Sequence, residues 1–183
     1  MKLNKVAMAV ALTAALGSMS ALAAVTDTTS GVIELQGELV NSACGLAPSS
    51  SPVSIDFKQV PVSLLQSGGQ ATESKNIELQ YCDTTVAKSA VVSYTPTSVN
   101  PVDATLAAFT SGSASGAGIM LKDSASKAVT WGDATTPVAL VNGKSIIPFV
   151  AILKAEAKSE GGAEPVVTAG DFKSTINFTI AYQ

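Results

Sequence analysis

Ser124-Ala-Ser-Lys127 is the stretch whose spacing fits nucleophilic chemistry: it matches S-x-x-K, the serine–lysine acylation pattern. It stands alone, with no S-D-N or K-T-G partner, and it lies in a polar stretch between two strand signals. A hairpin turn is the better reading. Gly112-Ser-Ala-Ser-Gly116 carries Ala114 where a nucleophile elbow needs Ser, and Thr110–Gly118 lacks the Lys of a phosphate loop. The 183 residues include no His and no Arg. That removes a His general base, an imidazole zinc site and a guanidinium clamp for phosphate or guanine. With 11 Lys against 14 Asp and Glu, the surface is wrong for nucleic acid. The acids are scattered, and no cofactor or metal is expected. Asn177-Phe-Thr179 is a formal glycosylation sequon, but it falls inside a strand pattern.

Cys44 and Cys82 remain, and their chemistry depends on compartment. Lys2 and Lys5 precede the apolar run Val6–Leu16, which is too short to span a bilayer, and Ala21-Leu-Ala23 is an A-x-A cleavage site. Residues 1–23 therefore read as a signal peptide. Cleavage there leaves 9 Lys against 14 acids, a net charge of −5 on about 160 residues. In an oxidising compartment two Cys of a small domain read as one disulfide. Closing that loop is worth about 4 kcal/mol by chain entropy.

The elements that hold these residues repeat with period two. Ile33, Leu35, Gly37 and Leu39 alternate with Glu34, Gln36 and Glu38. Val53, Ile55 and Phe57 alternate with Ser54, Asp56 and Lys58. Further runs fall at Ile77–Tyr81, Ala90–Tyr94, Ile119–Leu121 with Val129–Trp131, and Ile147–Leu153. The last is Phe172, Ile176, Phe178, Ile180 and Tyr182, with Lys173, Thr175, Asn177 and Thr179 opposite. Asn142-Gly143 reads as a hairpin turn. Val60–Leu65 and Asp103–Phe109 are short helix candidates. Many short strands without a helical period predict one β-sandwich or barrel domain. Both ends are unusual: Ala24–Ser30 reads as a disordered tail running straight into an alternating strand, and the most regular strand stops at the last residue. A strand with such an apolar face must pair with something.

These residues resemble the fimbrial subunits of the bacterial chaperone–usher pathway, especially the type 1 rod pilin. The resemblance rests on Gly31–Cys44, Tyr81–Ala90, Asn142–Phe149, the penultimate Tyr182, and Gly170 at the fourteenth position from the end. It implies an all-β, incomplete immunoglobulin-like sandwich of six strands plus an N-terminal donor-strand extension. The extension would be residues 24–36 and the pilin domain residues 37–183. Thr29, Gly31, Ile33 and Leu35 would enter the groove of a neighbouring subunit, with Gly31 at a shallow pocket. Gly170, Phe172, Ile176, Phe178, Ile180 and Tyr182 would line the groove and bind a periplasmic chaperone. The implied partners are neighbouring pilin subunits in a homopolymer, that chaperone and an outer-membrane usher. The implied place is a cell-surface fimbrium reached through the periplasm. A minor adaptor or terminator subunit, a monomeric secreted immunoglobulin-like module and a secreted hydrolase are the rival readings.

Overall fold

The structure is a computed structural model, and it describes residues 29–157, 162 and 164–183. The signal segment 1–23 and residues 24–28 of the N-terminal tail lie outside the described residues. The chain divides into two units, 1–38 and 39–183. The described part of the first, residues 29–38, is extended, forms no ladder, and exposes Ile33 and Leu35 to 84% and 89%. The alternation there predicts a strand, but a lone strand has no partner to supply its hydrogen bonds.

The second unit is β-rich. Its elements are β1 (Gly45–Leu46), α1 (Val62–Gln66), β2 (Gln70–Cys82), β3 (Ser89–Pro96), β4 (Ser111–Gly112), β5 (Ala117–Lys122), β6 (Val138–Ala139), β7 (Gly143–Ala155), β8 (Phe172–Lys173) and β9 (Ile176–Tyr182). One sheet has the order β1-β2-β7-β5, a second has β6-β3-β9, and β4 pairs with β8. Every ladder is antiparallel. The two larger sheets form an incomplete immunoglobulin-like sandwich.

Period-two patterning builds its core. Ile77 and Leu79 of β2, Ile119 and Leu121 of β5, and Ile147, Phe149, Ala151 and Leu153 of β7 are buried in one cluster with Ala90, Val92 and Tyr94 of β3. The Tyr94 and Phe149 rings, one from each sheet, lie 6.0 Å apart. β7 is also apolar on its other face. There Ile152 is buried and Ile146 is 54% exposed, because β5 pairs with β7 only from Val150 onward. Pro148 sits before that point, where β7 has one neighbour and its missing N–H costs no ladder bond. Gly118 of β5 is held to glycine by packing: a Cβ there would lie 2.8 Å from the Ala107 carbonyl oxygen and 2.9 Å from the Leu106 Cβ.

Three local expectations change. Asp103–Phe109 is a turn and not a helix. Asn100 Oδ1 accepts from the amides of Val102 and Asp103, and Asp103 Oδ1 accepts from the amide and hydroxyl of Thr105. Side chains thus take the amides a helix would need. Asn142-Gly143 is not a hairpin turn, since β6 and β7 belong to different sheets and the chain crosses between them. Gly143 has φ +88°, and Asn142 Oδ1 accepts from the amide and hydroxyl of Thr84. Val53–Phe57 is extended and half-buried at its odd positions, yet it joins no ladder. The helix candidate at Val60–Leu65 appears as α1, shifted by about a residue past Pro61.

The Lys122–Lys127 turn forms as expected, and with it the serine–lysine pair becomes plain turn chemistry. Asp123 organises it. Its carboxylate accepts from the amides of Ala125 and Lys127 and from the amide and hydroxyl of Thr136, the last at 2.6 Å. Burial pushes this carboxyl up, but those hydrogen bonds outweigh it and hold the group below the usual carboxylate range. A lowered folded pKa gives stability that is present above the unfolded value, about 3.9, and is lost as pH falls through the folded value. Asp123→Asn replaces an acceptor oxygen by a donor, so it should cost about 1–3 kcal/mol at neutral pH. Denaturant unfolding of both forms should show the gap closing below about pH 4.

Candidate functional site

The site is built where the second sheet stops short. β9 pairs with β3 from Ala90↔Tyr182 to Pro96↔Ile176, and it has no strand on its other side among the described residues. From Phe172 to Tyr182 every even residue is half-buried and every odd one exposed. Phe172, Ile176, Phe178, Ile180 and Tyr182 all pack against the core cluster, so the predicted apolar face exists as one face.

Beside this edge lies a cleft of about 820 Å³. One bank is Phe172–Phe178. The other is the unladdered stretch Pro52–Phe57, and the floor is core: Ile77, Tyr94, Leu121, Phe149 and Ala151. Burial first, then the nearby Asp123 charge, pushes the Tyr94 hydroxyl well above its ordinary value, so the floor carries no charge. Phe172 closes one end, stacked on Phe109 at 4.5 Å and tilted against Phe57 at 6.3 Å. Beyond it a second cavity of about 290 Å³ is lined by Val60, Val62, Leu65, Phe109, Val167 and Gly170.

The sequence-predicted residues divide along this groove. Phe172, Ile176 and Phe178 line the main cleft, and Gly170 lines the second cavity. Gly170 is needed for close approach, because a Cβ would meet Ala114 N at 2.6 Å and the Ser113 carbonyl carbon at 2.7 Å. Ile180 and Tyr182 are half-buried further along, and the Tyr182 hydroxyl donates to the Cys44 carbonyl at 3.2 Å. Burial pushes that hydroxyl's pKa up. Cys44 and Cys82 are buried and disulfide-bonded to each other. The bond ties the start of the domain to the end of β2. Thr29, Gly31, Ile33 and Leu35 all lie in the exposed extended segment 29–38. The bank Val53–Phe57 was visible as an alternating run, but nothing in it signalled a groove wall.

The cleft is thus walled by one strand edge and one unpaired extended segment. The model of the fimbrial protein family matches residues 33–183. The chain belongs to the fimbrial protein family. It is 53% identical to the major fimbrial subunit of Proteus mirabilis (strain HI4320), over 100% of each chain. It is 31% identical to the type-1 fimbrial protein A chain of Escherichia coli (strain K12), again over 100% of each. The crystal structure of the P pilus rod subunit PapA superposes with TM-score 0.63 at 25% identity, covering 78% of this chain and all of that one. A chaperone–usher pilus structure that addresses rod uncoiling superposes with TM-score 0.70 at 26% identity, over 85% of this chain and 96% of that chain. This fimbrial protein is thus a structural subunit of a surface fimbria, of the type 1-like major pilin kind, and it polymerises with other pilin subunits.

Two outcomes test the site's scaffold. Cys44→Ala with Cys82→Ala should lower unfolding stability by about 2–5 kcal/mol. Gly170→Val should destabilise the subunit by about 1–3 kcal/mol through overpacking alone, as read by its thermal midpoint.

Proposed function

We propose that subunits join by strand insertion and that the protein does no chemistry on a substrate. Residues 24–36 act as a donor extension, and residues 37–183 form the acceptor domain. Thr29, Gly31, Ile33 and Leu35 enter the cleft of the next subunit, after removal of the signal peptide 1–23. The observation that carries this is the unladdered bank Val53–Phe57 facing the free edge of β9 across an apolar floor. A strand laid between them finds backbone partners on both sides and pockets for alternate side chains.

The energetics favour an apolar donor. Ile33 and Leu35 gain about 1.5–3 kcal/mol each on full burial. The alternation continues through Gly37 to Leu39, which is fully exposed in its own subunit. The inserted length then runs past residue 36 to Leu39. Such a contact joins two different surfaces and does not close on itself, so it propagates as a fibre. Before assembly the apolar face of β9 stays only half-buried along this cleft, and a periplasmic chaperone that pairs along Phe172–Tyr182 would cover it. An outer-membrane usher would then receive the covered subunit for assembly.

A synthetic peptide of Thr26–Val40 should raise the thermal midpoint of the purified subunit. Ile33→Asp in the peptide should remove most of that gain, because a buried unpaired carboxylate is costly. An inert wild-type peptide, or an equally active Ile33→Asp peptide, would defeat the insertion reading. Phe178→Ser should reduce the yield of subunit–chaperone complex from periplasmic extract, while Thr179→Ser on the exposed parity should leave it unchanged. Equal yields would return β9 to the role of ordinary core.

A further inference from the structure

A groove that accepts an alternating strand fixes which side chains face inward, but a slip of two residues preserves that parity. Reversal of direction preserves it as well. Charges on the exposed side add a second means of choosing among these arrangements, beside the size of the inward side chains.

The acceptor strand carries a sparse charge pattern on that side. Its exposed odd positions are Asp171, Lys173, Thr175, Asn177, Thr179 and Ala181. Lys173 lines the cleft, and its ammonium makes no ion pair among the described residues. Across the cleft, Lys58 is held by Asp56 at 2.7 Å, so that bank presents a neutralised pair. The donor's outward positions are Glu34, Gln36 and Glu38. Thr29–Leu39 spans eleven residues, and so does Phe172–Tyr182.

We propose that Lys173 pairs with Glu38 of a second copy's donor segment and that this pair sets register and direction. The inference rests on the insertion reading above. In the antiparallel arrangement with all inward residues matched, Thr29 lies opposite Tyr182 and Leu39 opposite Phe172. Glu38 then lies opposite Lys173, Gln36 opposite Thr175 and Glu34 opposite Asn177, with no acid facing an acid. Running the donor in parallel over the same length sets Ser30 against Lys173 and Glu38 against Ala181, and the attraction is gone. Slipping the antiparallel donor two residues in one direction sets Glu38 against Asp171, a like-charge contact. Slipping it the other way leaves Glu38 opposite Thr175 and Val40 opposite Lys173. Lys173 therefore selects the arrangement and Asp171 disfavours its nearest competitor.

The test uses the full-length subunit and the Thr26–Val40 peptide, with dissociation constants measured at low and high salt. Glu38→Lys in the peptide should weaken binding about threefold to tenfold at low salt, in line with a lost and reversed cross-strand pair. Lys173→Glu in the subunit should weaken the wild-type peptide similarly and restore the Glu38→Lys peptide. High salt should shrink both effects, since the pair is exposed. Carbodiimide treatment of the wild-type complex should couple Glu38 to Lys173. Wild-type binding with no charge-swap rescue, or coupling of Glu38 to another lysine, would overturn the register and leave insertion standing. A wild-type peptide that does not bind at all would overturn insertion itself.

Discussion

The structure depends on an unmade ladder. β9 offers one row of backbone groups, Val53–Phe57 offers another, and between them lies a cleft of about 820 Å³ floored by core side chains. Each feature alone would be a defect: an unprotected edge, an unpaired extended segment, and a cleft that reaches down to the buried Phe149, Tyr94 and Leu121. Together they support the proposal that a strand is supplied from outside. Soluble proteins usually blunt such edges, whereas this one keeps a regular apolar face.

An open core demands compensation elsewhere. The disulfide ties the entry of the domain to the end of β2, and Tyr182 reaches across to the Cys44 carbonyl, so the last strand is held at the same pole. At the other pole, Gly118 and Gly170 let backbones approach to distances that a side chain would prevent. Asp123 locks the β5 turn with four hydrogen bonds. The charged rim is spare by comparison.

Alternation made much of this legible in one dimension. The strands around Ile77, Val92, Leu121, Phe149 and Phe178 could be read directly, because side chains in a strand point to opposite faces in turn. The buried pair Cys44 and Cys82 followed from a secretory leader and the absence of other thiols. Where the reading failed, local side-chain hydrogen bonds in one case and long-range pairing in the other were the cause. Asp103–Phe109 looked helical by composition, but Asn100 and Asp103 turn their side chains onto its amides. Asn142-Gly143 has turn chemistry, yet the strand before it pairs with β3 and not with β7.

The sequence by itself determined the fold class, the exported disulfide-bonded domain and the inward parity of the last strand, since all of these rest on local periodicity and composition. Only the tertiary structure decided that Val53–Phe57, whose pattern is as strand-like as any other, would have no partner. Periodicity states which face of a segment is apolar, and it is silent on which backbone lies beside it. That is a property of the packed sheets: β2 takes β7 and β1, β3 takes β9 and β6, and among the described residues no strand of the domain remains for the last place.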